Sequence, residues 1–165
     1  MDDSQHEQRR RWFESYVERV SNGVIKPPAD GVRYTCPCCG YLTLDERGGY
    51  DICELCNWED DGQDDPHADE VYGGPNGRYS LAEARQNFRK YLVMYAPEDD
   101  PRMGGTDSEK EREAKKAIIT AFDEMWRTTN ETRLKNLWEI IRQNEATLKR
   151  EMNRKIREYE RLHKP

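Results

Sequence analysis

The chain has 165 residues and a formal net charge of −6, and its charged side chains (36%) are as numerous as its hydrophobic ones (35%). A typical soluble domain is roughly 45–50% apolar, so the composition excludes one thick core and favours a small module with thin amphipathic helices. No apolar run approaches the roughly 20 residues that cross a bilayer, and the N-terminus is polar and acidic. We therefore expect a cytoplasmic protein, outside membranes, whose cysteines stay reduced.

The first predicted element is an amphipathic helix over residues 8–21. Asn22-Gly23 ends it, since glycine accepts the left-handed geometry of a helix C-cap, and Pro27-Pro28 begins an extended connector. The apolar side chains that recur on one face of this helix are Trp12, Phe13, Tyr16, Val17 and Val20.

A short, turn-rich, cysteine-dense segment follows from Tyr34 to Trp58. Residues 41–44 and 50–52 have the character of two short strands, and residues 45–49 supply the turn between them. Residues 59–79 then form a loop without apolar periodicity. A loop of that length inside a compact domain is usually functional, disordered or bound to an ion.

Ser80 opens the next predicted helix, because Ser80 and Glu83 have the spacing of a capping box. Its apolar stripe continues to Tyr95, Pro97 ends it, and residues 97–106 form a linker rich in proline, glycine and aspartate.

The last sixty residues carry two helical patterns, one from Ala114 to Met125 and one from Leu134 to Leu162. Asn130, a good N-cap residue, lies between them and predicts an antiparallel helical hairpin. One continuous helix is the alternative. The predicted fold is thus α+β, with a zinc ribbon-like β-hairpin module flanked by an N-terminal helix and a C-terminal helical hairpin. The predicted divisions are 1–33, 34–96, 97–106 and 107–165.

Four cysteines predict a metal site. Cys36 and Cys39, then Cys53 and Cys56, form two C-x2-C pairs separated by thirteen residues, a spacing that lets four thiolates converge on one Zn²⁺. A rubredoxin-like iron site uses the same ligands but serves electron transfer. A thioredoxin-type redox pair is disfavoured because neither pair opens a helix after a strand. Cys38 is left over. It is a competing ligand, but the Cys36–Cys39 spacing pairs best with the second pair, so Cys38 is expected to lie packed or half-exposed beside the site.

The turns after the two cysteine pairs have suitable residues. Gly40 and Asn57, each directly after a second cysteine, are residue types that accept a positive φ. Four thiolates also close the coordination sphere, whereas a catalytic zinc keeps a position open for water. We therefore expect a structural metal and no enzyme. The three histidines, His6, His67 and His163, are scattered and form no catalytic pair.

The loop after the second cysteine pair holds seven carboxylates within twelve residues and no lysine or arginine. It does not fit the EF-hand calcium pattern. A solvated charge run is one interpretation, and an acidic surface that docks a basic protein partner is the other. The predicted partner-binding residues are Glu59, Asp60, Asp61, Asp64, Asp65, Asp69 and Glu70.

The cysteine-containing segment resembles the bacterial cysteine-rich CPCC family over about residues 34–91. That resemblance implies a zinc-binding module without an assigned enzymatic activity. Because members resemble accessory proteins near bacterial toxin genes, it also implies a toxin-neutralising immunity role with a toxin domain as partner. The segments that carry the resemblance are 34–41, 53–61, Asp65-Pro66, 73–76 and 80–88.

The distribution of charge along the chain discriminates between the alternative functions. Residues 36–100 hold 15 acidic and 5 basic side chains, whereas residues 131–165 hold 6 acidic and 10 basic ones. The main alternative is a nucleic-acid-binding zinc ribbon that uses the basic C-terminal helix. An acidic zinc module repels nucleic acid, so the charge distribution disfavours this alternative. The basic stretch also suits a solvated helix face. A further alternative is a homo-oligomer formed through residues 131–163.

Overall fold

The computed structural model describes residues 3–165 and contains two compact units, one that ends at Tyr95 and one that spans Ala96–Pro165. Residues 1 and 2 of the predicted N-terminal segment lie outside the described residues. The predicted α+β fold is confirmed: an N-terminal helix and a two-stranded antiparallel hairpin that carries the cysteines are followed by further helices.

Helix α1 spans Asp3–Ser21 and therefore begins earlier than the predicted start at residue 8. The added turn carries His6, which is buried and contacts the backbone of the cysteine-rich segment. A tertiary contact, and not apolar periodicity, accounts for this extension. The inner face is completed by Phe13, whose ring packs edge-on against Tyr41 with the centroids 6.0 Å apart.

The observed hairpin differs from the predicted one. Strand β1 (Tyr34–Thr35) pairs antiparallel with β2 (Leu42–Leu44), so the turn between them is the first cysteine pair itself. The predicted pairing of residues 41–44 with residues 50–52 is wrong. Tyr50 has a φ of 63°, a left-handed conformation that interrupts an extended strand.

Residues 50–52 instead run beside the chain that leaves the second cysteine pair. Ile52 forms an isolated antiparallel bridge with Glu59, Tyr50 N donates to Asp60 O, and Asp60 N donates to Asp51 O. Each cysteine pair is thus enclosed by its own short ladder. This arrangement places the two turns next to each other.

Helix α2 spans Leu81–Tyr91, and Ser80 Oγ accepts a hydrogen bond from Glu83 N as the predicted cap. The helix ends before the predicted stop at Pro97. Leu92 adopts a left-handed φ of 58° and terminates it. The chain then turns back, and Met94 N donates to Cys56 O at 2.8 Å. Contact with the second cysteine pair therefore decides where α2 ends.

The second unit is a helical hairpin of α3 (Glu109–Met125) and α4 (Glu131–Leu162), and the alternative of one continuous helix is wrong. Asn130 Oδ1 accepts from Arg133 N at 2.9 Å, as expected for an N-cap that starts a new helix. The rings of Phe122 and Trp138 pack edge-on with their centroids 5.9 Å apart. Within residues 3–165, none of the helices is both long and apolar enough to cross a bilayer.

Candidate metal centre

The first cysteine pair lies in a tight turn that we call the first knuckle, residues 36–41. Gly40 N donates to Cys36 O at 2.9 Å, and Cys36 N donates to Tyr41 O at 2.9 Å. Gly40 has a φ of 79°, which a residue with a side chain rarely adopts. The turn is therefore closed at both ends by backbone hydrogen bonds.

The second knuckle, residues 53–58, repeats this construction. Asn57 N donates to Cys53 O at 2.8 Å, and Cys53 N donates to Trp58 O at 2.9 Å. Asn57 has a φ of 69°, and asparagine tolerates this conformation better than most residues. The two knuckles are thus closed by equivalent hydrogen bonds, although they share little sequence beyond the cysteines.

The structure brings together the sulfur atoms of Cys36, Cys39, Cys53 and Cys56, all within 4.8 Å of one another. Cys36 Sγ lies 3.7 Å from Cys56 Sγ, and Cys39 Sγ lies 3.7 Å from Cys53 Sγ. All four residues are fully buried. A tetrahedral ion with metal–sulfur bonds of about 2.3 Å requires sulfur–sulfur separations of about 3.8 Å. The four cysteines are therefore positioned to bind a metal ion.

The four thiols differ in acidity. Burial raises the pKa of Cys36, Cys39 and Cys56. Burial also acts to raise the pKa of Cys53, but hydrogen bonds from the other three thiols and from Thr43 outweigh it and hold that pKa well below its usual range. Thiols must lose their protons when a divalent ion binds them, so metal affinity rises with pH.

Hydrogen bonds to sulfur support the second knuckle in particular. Thr43 Oγ1 lies 2.9 Å from Cys53 Sγ, and Cys56 N donates to the same sulfur at 3.4 Å. Trp58 N donates to Cys56 Sγ at 3.4 Å. Donors of this kind stabilise a thiolate and orient a ligand before the metal binds.

Cys38 is fully buried in the first knuckle, and the group of four mutually close sulfurs is formed by the other cysteines. Its carbonyl oxygen lies 3.0 Å from His6 Nε2. Burial, followed by the charge of Arg9, lowers the pKa of His6 to about 4. The imidazole is therefore neutral near pH 7, and its Nε2–H donates to the carbonyl.

Part of the acidic loop, residues 59–70, forms hydrogen bonds and ion pairs with other residues of the protein. Asp60 is fully buried, and its carboxylate accepts from Arg47 Nε at 3.0 Å and from Gly48 N at 2.7 Å. Arg47 also reaches Asp64 at 2.8 Å. Asp61 Oδ1 accepts from the backbone of the loop itself. These contacts fix the loop beside the second knuckle.

Arginines from two helices neutralise Asp65. Arg10 on α1 forms an ion pair with this carboxylate, and Arg85 on α2 donates to it at 2.8 Å. Burial acts to raise the pKa of Asp65, but Arg85 and Arg10 outweigh it and lower that pKa. Sequence reasoning missed these partners because they lie 55 and 20 residues from Asp65 along the chain.

The remaining predicted partner-binding residues are Glu59, Asp69 and Glu70. Glu59 is half-buried, and its backbone N–H donates to Asn76 Oδ1 at 3.1 Å. Asp69 and Glu70 are exposed, and Glu70 lies 3.3 Å from the exposed His67. Asp69 and Glu70 thus present solvent-facing carboxylates at the far end of the loop, whereas the exposed Asp65 is paired with Arg10 and Arg85.

Residues 34–100 match the family model described as Cysteine-rich CPCC, a span that starts in β1 and includes both knuckles, the acidic loop and α2. Comparison with curated proteins and with solved structures gives no match. Helices α1, α3 and α4 lie outside the matched residues. The four converged cysteines lie inside the match and agree with it. The predicted resemblance to the Cysteine-rich CPCC family is therefore confirmed over residues 34–100.

Proposed function

We propose that this chain is a non-enzymatic protein-binding module whose first unit is stabilised by one structural Zn²⁺. The observation that carries the proposal is the convergence of four fully buried sulfur atoms, from Cys36, Cys39, Cys53 and Cys56. A catalytic zinc normally has three protein ligands and a water in the fourth position. Four thiolates fill a tetrahedron, so the ion contributes folding free energy and leaves no position for a substrate.

Zinc is the metal that we propose, because a tetrahedral set of four thiolates is typical of structural zinc sites. Ferric or ferrous iron accepts the same ligands and would make the centre redox-active and coloured. Metal analysis of the purified chain tests this directly. We expect about one zinc per chain, lost in Cys56→Ser and retained in Cys38→Ser. Full zinc occupancy in Cys56→Ser, or iron in the wild-type chain, would contradict the assignment.

The protein-binding part of the proposal is supported by the segment 69–72, which follows the internally bonded part of the acidic loop. Val71 is 58% exposed and Tyr72 is 47% exposed, beside the exposed carboxylates of Asp69 and Glu70. Exposed aromatic side chains frequently anchor protein interfaces, and carboxylates beside them select a basic partner. We call residues 69–72 the docking segment.

The specific role that we propose is neutralisation of a bacterial toxin, which follows from the resemblance to the CPCC family. A toxin that acts on nucleic acid or nucleotides has a basic cleft, and an acidic module complements such a cleft. Docking there blocks access of the substrate without any chemistry in the bound module.

Co-purification from the native host tests the partner. The double variant Asp69→Asn/Glu70→Gln is compared with wild type and with Glu109→Gln/Glu113→Gln, a control that removes two exposed carboxylates from α3. For the partner identified, we expect the association rate to fall with added salt and in the docking-segment variant but not in the control. A partner that binds all three proteins at the same rate, or capture of nucleic acid instead, would refute the docking surface.

A further inference from the structure

Three consecutive carbonyl oxygens of the first knuckle are capped by side chains from two helices. Arg85 Nε on α2 donates to Pro37 O at 2.9 Å, and His6 Nε2 on α1 lies 3.0 Å from Cys38 O. Arg9 Nη2 on α1 donates to Cys39 O at 2.8 Å. The Arg9 guanidinium also lies over the ring of Tyr41, 4.1 Å from its centroid.

The bond from Arg9 acts on the peptide group that closes the first knuckle. Cys39 O and Gly40 N belong to one peptide unit, and Gly40 N donates to Cys36 O at 2.9 Å. A cation on the carbonyl polarises the peptide and makes its N–H a stronger donor. Arg9 therefore strengthens the hydrogen bond that holds Cys36 and Cys39 in the same turn.

The second knuckle shows the same arrangement with a neutral donor. Asn57 N closes that turn on Cys53 O, and the carbonyl of the same peptide unit, Cys56 O, accepts from Met94 N at 2.8 Å. Arg9 thus occupies in the first knuckle the place that a backbone N–H occupies in the second. The difference is that Arg9 brings a full positive charge into a buried site, where Arg9 itself is 2% exposed.

The positive charge of Arg9 is opposite in sign to the charge of a metal-loaded centre. Four thiolates and one divalent ion leave a formal charge of about −2, and an uncompensated buried charge is costly. The close contact of α1 with the knuckle is also visible at Gly40, where an added Cβ would lie 3.5 Å from Arg10 Cβ and 3.6 Å from Arg9 Nε. Helix α1 therefore packs directly on the turn that holds two of the four cysteines.

We infer that Arg9 is a positioning residue of the metal centre, so that helix α1, which lies outside the family match, completes the site. The inference rests on the metal site of the proposed function. Arg9 strengthens the closure of the first knuckle by donating to Cys39 O, and its charge compensates the negative charge of the bound thiolates. His6 and Arg85 cap the two neighbouring carbonyls.

The test measures zinc affinity of the full chain by competition with a chromophoric chelator. Arg9→Gln removes the charge, Arg9→Lys keeps it, and Arg11→Gln removes a charge from the exposed side of the same helix, where Arg11 pairs with Glu7. Removing a residue that supports a metal ligand typically weakens metal binding about 10–100-fold. We expect a loss of that size in Arg9→Gln, a smaller loss in Arg9→Lys and wild-type affinity in Arg11→Gln.

Cobalt(II) loading supplies a readout that general destabilisation does not move. The sulfur-to-cobalt charge-transfer band responds to the charge beside the sulfurs, so we expect it to shift in Arg9→Gln and to remain in place in Arg11→Gln. If Arg9→Gln fails to fold, the spectrum of Arg9→Lys tests the inference instead. A charge-transfer band near the wild-type position would support the inference, and a band at a different position would oppose it. Equal affinity and equal spectra in Arg9→Gln and Arg11→Gln would overturn the inference alone. A wild-type chain that takes up no metal would overturn the proposed function as well.

Discussion

Lys115 Nζ lies 2.6 Å from a carboxylate oxygen of Asp107, and both side chains are almost fully buried, with exposures of 3% and 6%. Arg102 donates to the same carboxylate at 2.6 Å and also pairs with Asp100 at 2.7 Å. These contacts fix the segment before α3 to the first turns of the helix. Breaking a buried pair leaves a charge without compensation, so the pair is a sensitive point of the second unit.

Replacing Lys115 is therefore expected to destabilise the helical hairpin. Lys115→Met leaves the buried Asp107 with Arg102 as its remaining cation, so we expect a loss of about 3 kcal/mol in the free energy of unfolding. The control is Lys116→Met, which removes the exposed neighbouring lysine and should cost at most about 0.5 kcal/mol. Urea unfolding followed by the methyl resonances of Ile118 and Ile141 measures both. Equal losses would show that the buried pair contributes nothing specific.

Acid should weaken the same network. Burial acts to raise the pKa of Asp107, but Lys115 and Arg102 outweigh it and hold that pKa below its usual value. The unfolded chain therefore binds the proton more readily than the folded one. The resulting stability is present above about pH 4 and is lost as the pH falls through the folded-state pKa. Asp107→Asn should remove this decrease in stability at low pH, which is measured as the free energy of unfolding between pH 2 and about pH 6. An unchanged decrease would exclude Asp107 as its source.

Thr43 is expected to support the metal through its bond to Cys53 Sγ, 2.9 Å away. A hydrogen bond to a charged group is worth roughly 1.5–3 kcal/mol, so Thr43→Val should weaken zinc binding by at least about tenfold. Thr35 in the paired strand offers a matched control, since its buried Oγ1 has no hydrogen-bond partner among residues 3–165. Thr35→Val should leave zinc affinity unchanged in a chelator competition. A similar effect of both substitutions would argue against a specific bond to the sulfur.

Substitutions at the two ends of the acidic loop should change the stability of the first unit by different amounts. Asp60 is fully buried and accepts from Arg47 and from Gly48 N, so Asp60→Ala should cost roughly 3 kcal/mol of the folding free energy of the first unit. Asp69 is exposed, and Asp69→Ala should change stability by less than about 0.5 kcal/mol. Thermal unfolding of the zinc-loaded protein compares the two. Tolerance of Asp60→Ala would mean that its contacts do not hold the loop.

The sequence was most informative where structure depends on neighbouring residues. The spacing of Cys36, Cys39, Cys53 and Cys56 predicted which sulfurs would converge, because each pair forms within one turn. The caps at Ser80 and Asn130 were predicted for the same reason, since a cap bonds to a backbone group three residues away.

Predictions that depended on distant partners were less successful. The strand pairing was wrong because Tyr50 has a positive φ that its residue type does not reveal. The end of α2 was misplaced because Met94 turns back to bond with Cys56 O. The partners of the acidic loop come from Arg10, Arg47 and Arg85, which no local pattern links to it.

Helix α4 also differs along its length. Ile141 is fully buried, whereas every side chain from residue 157 to residue 162 is exposed. A helical segment without a buried face depends on its own backbone bonds, which are marginal over so few residues. Amide hydrogens in the last turns should therefore exchange with solvent through local fraying, while those around Ile141 should exchange only when the whole unit opens. Helix α4 thus combines a buried section around Ile141 with a short, fully exposed C-terminal end that can unfold locally with little effect on the hairpin.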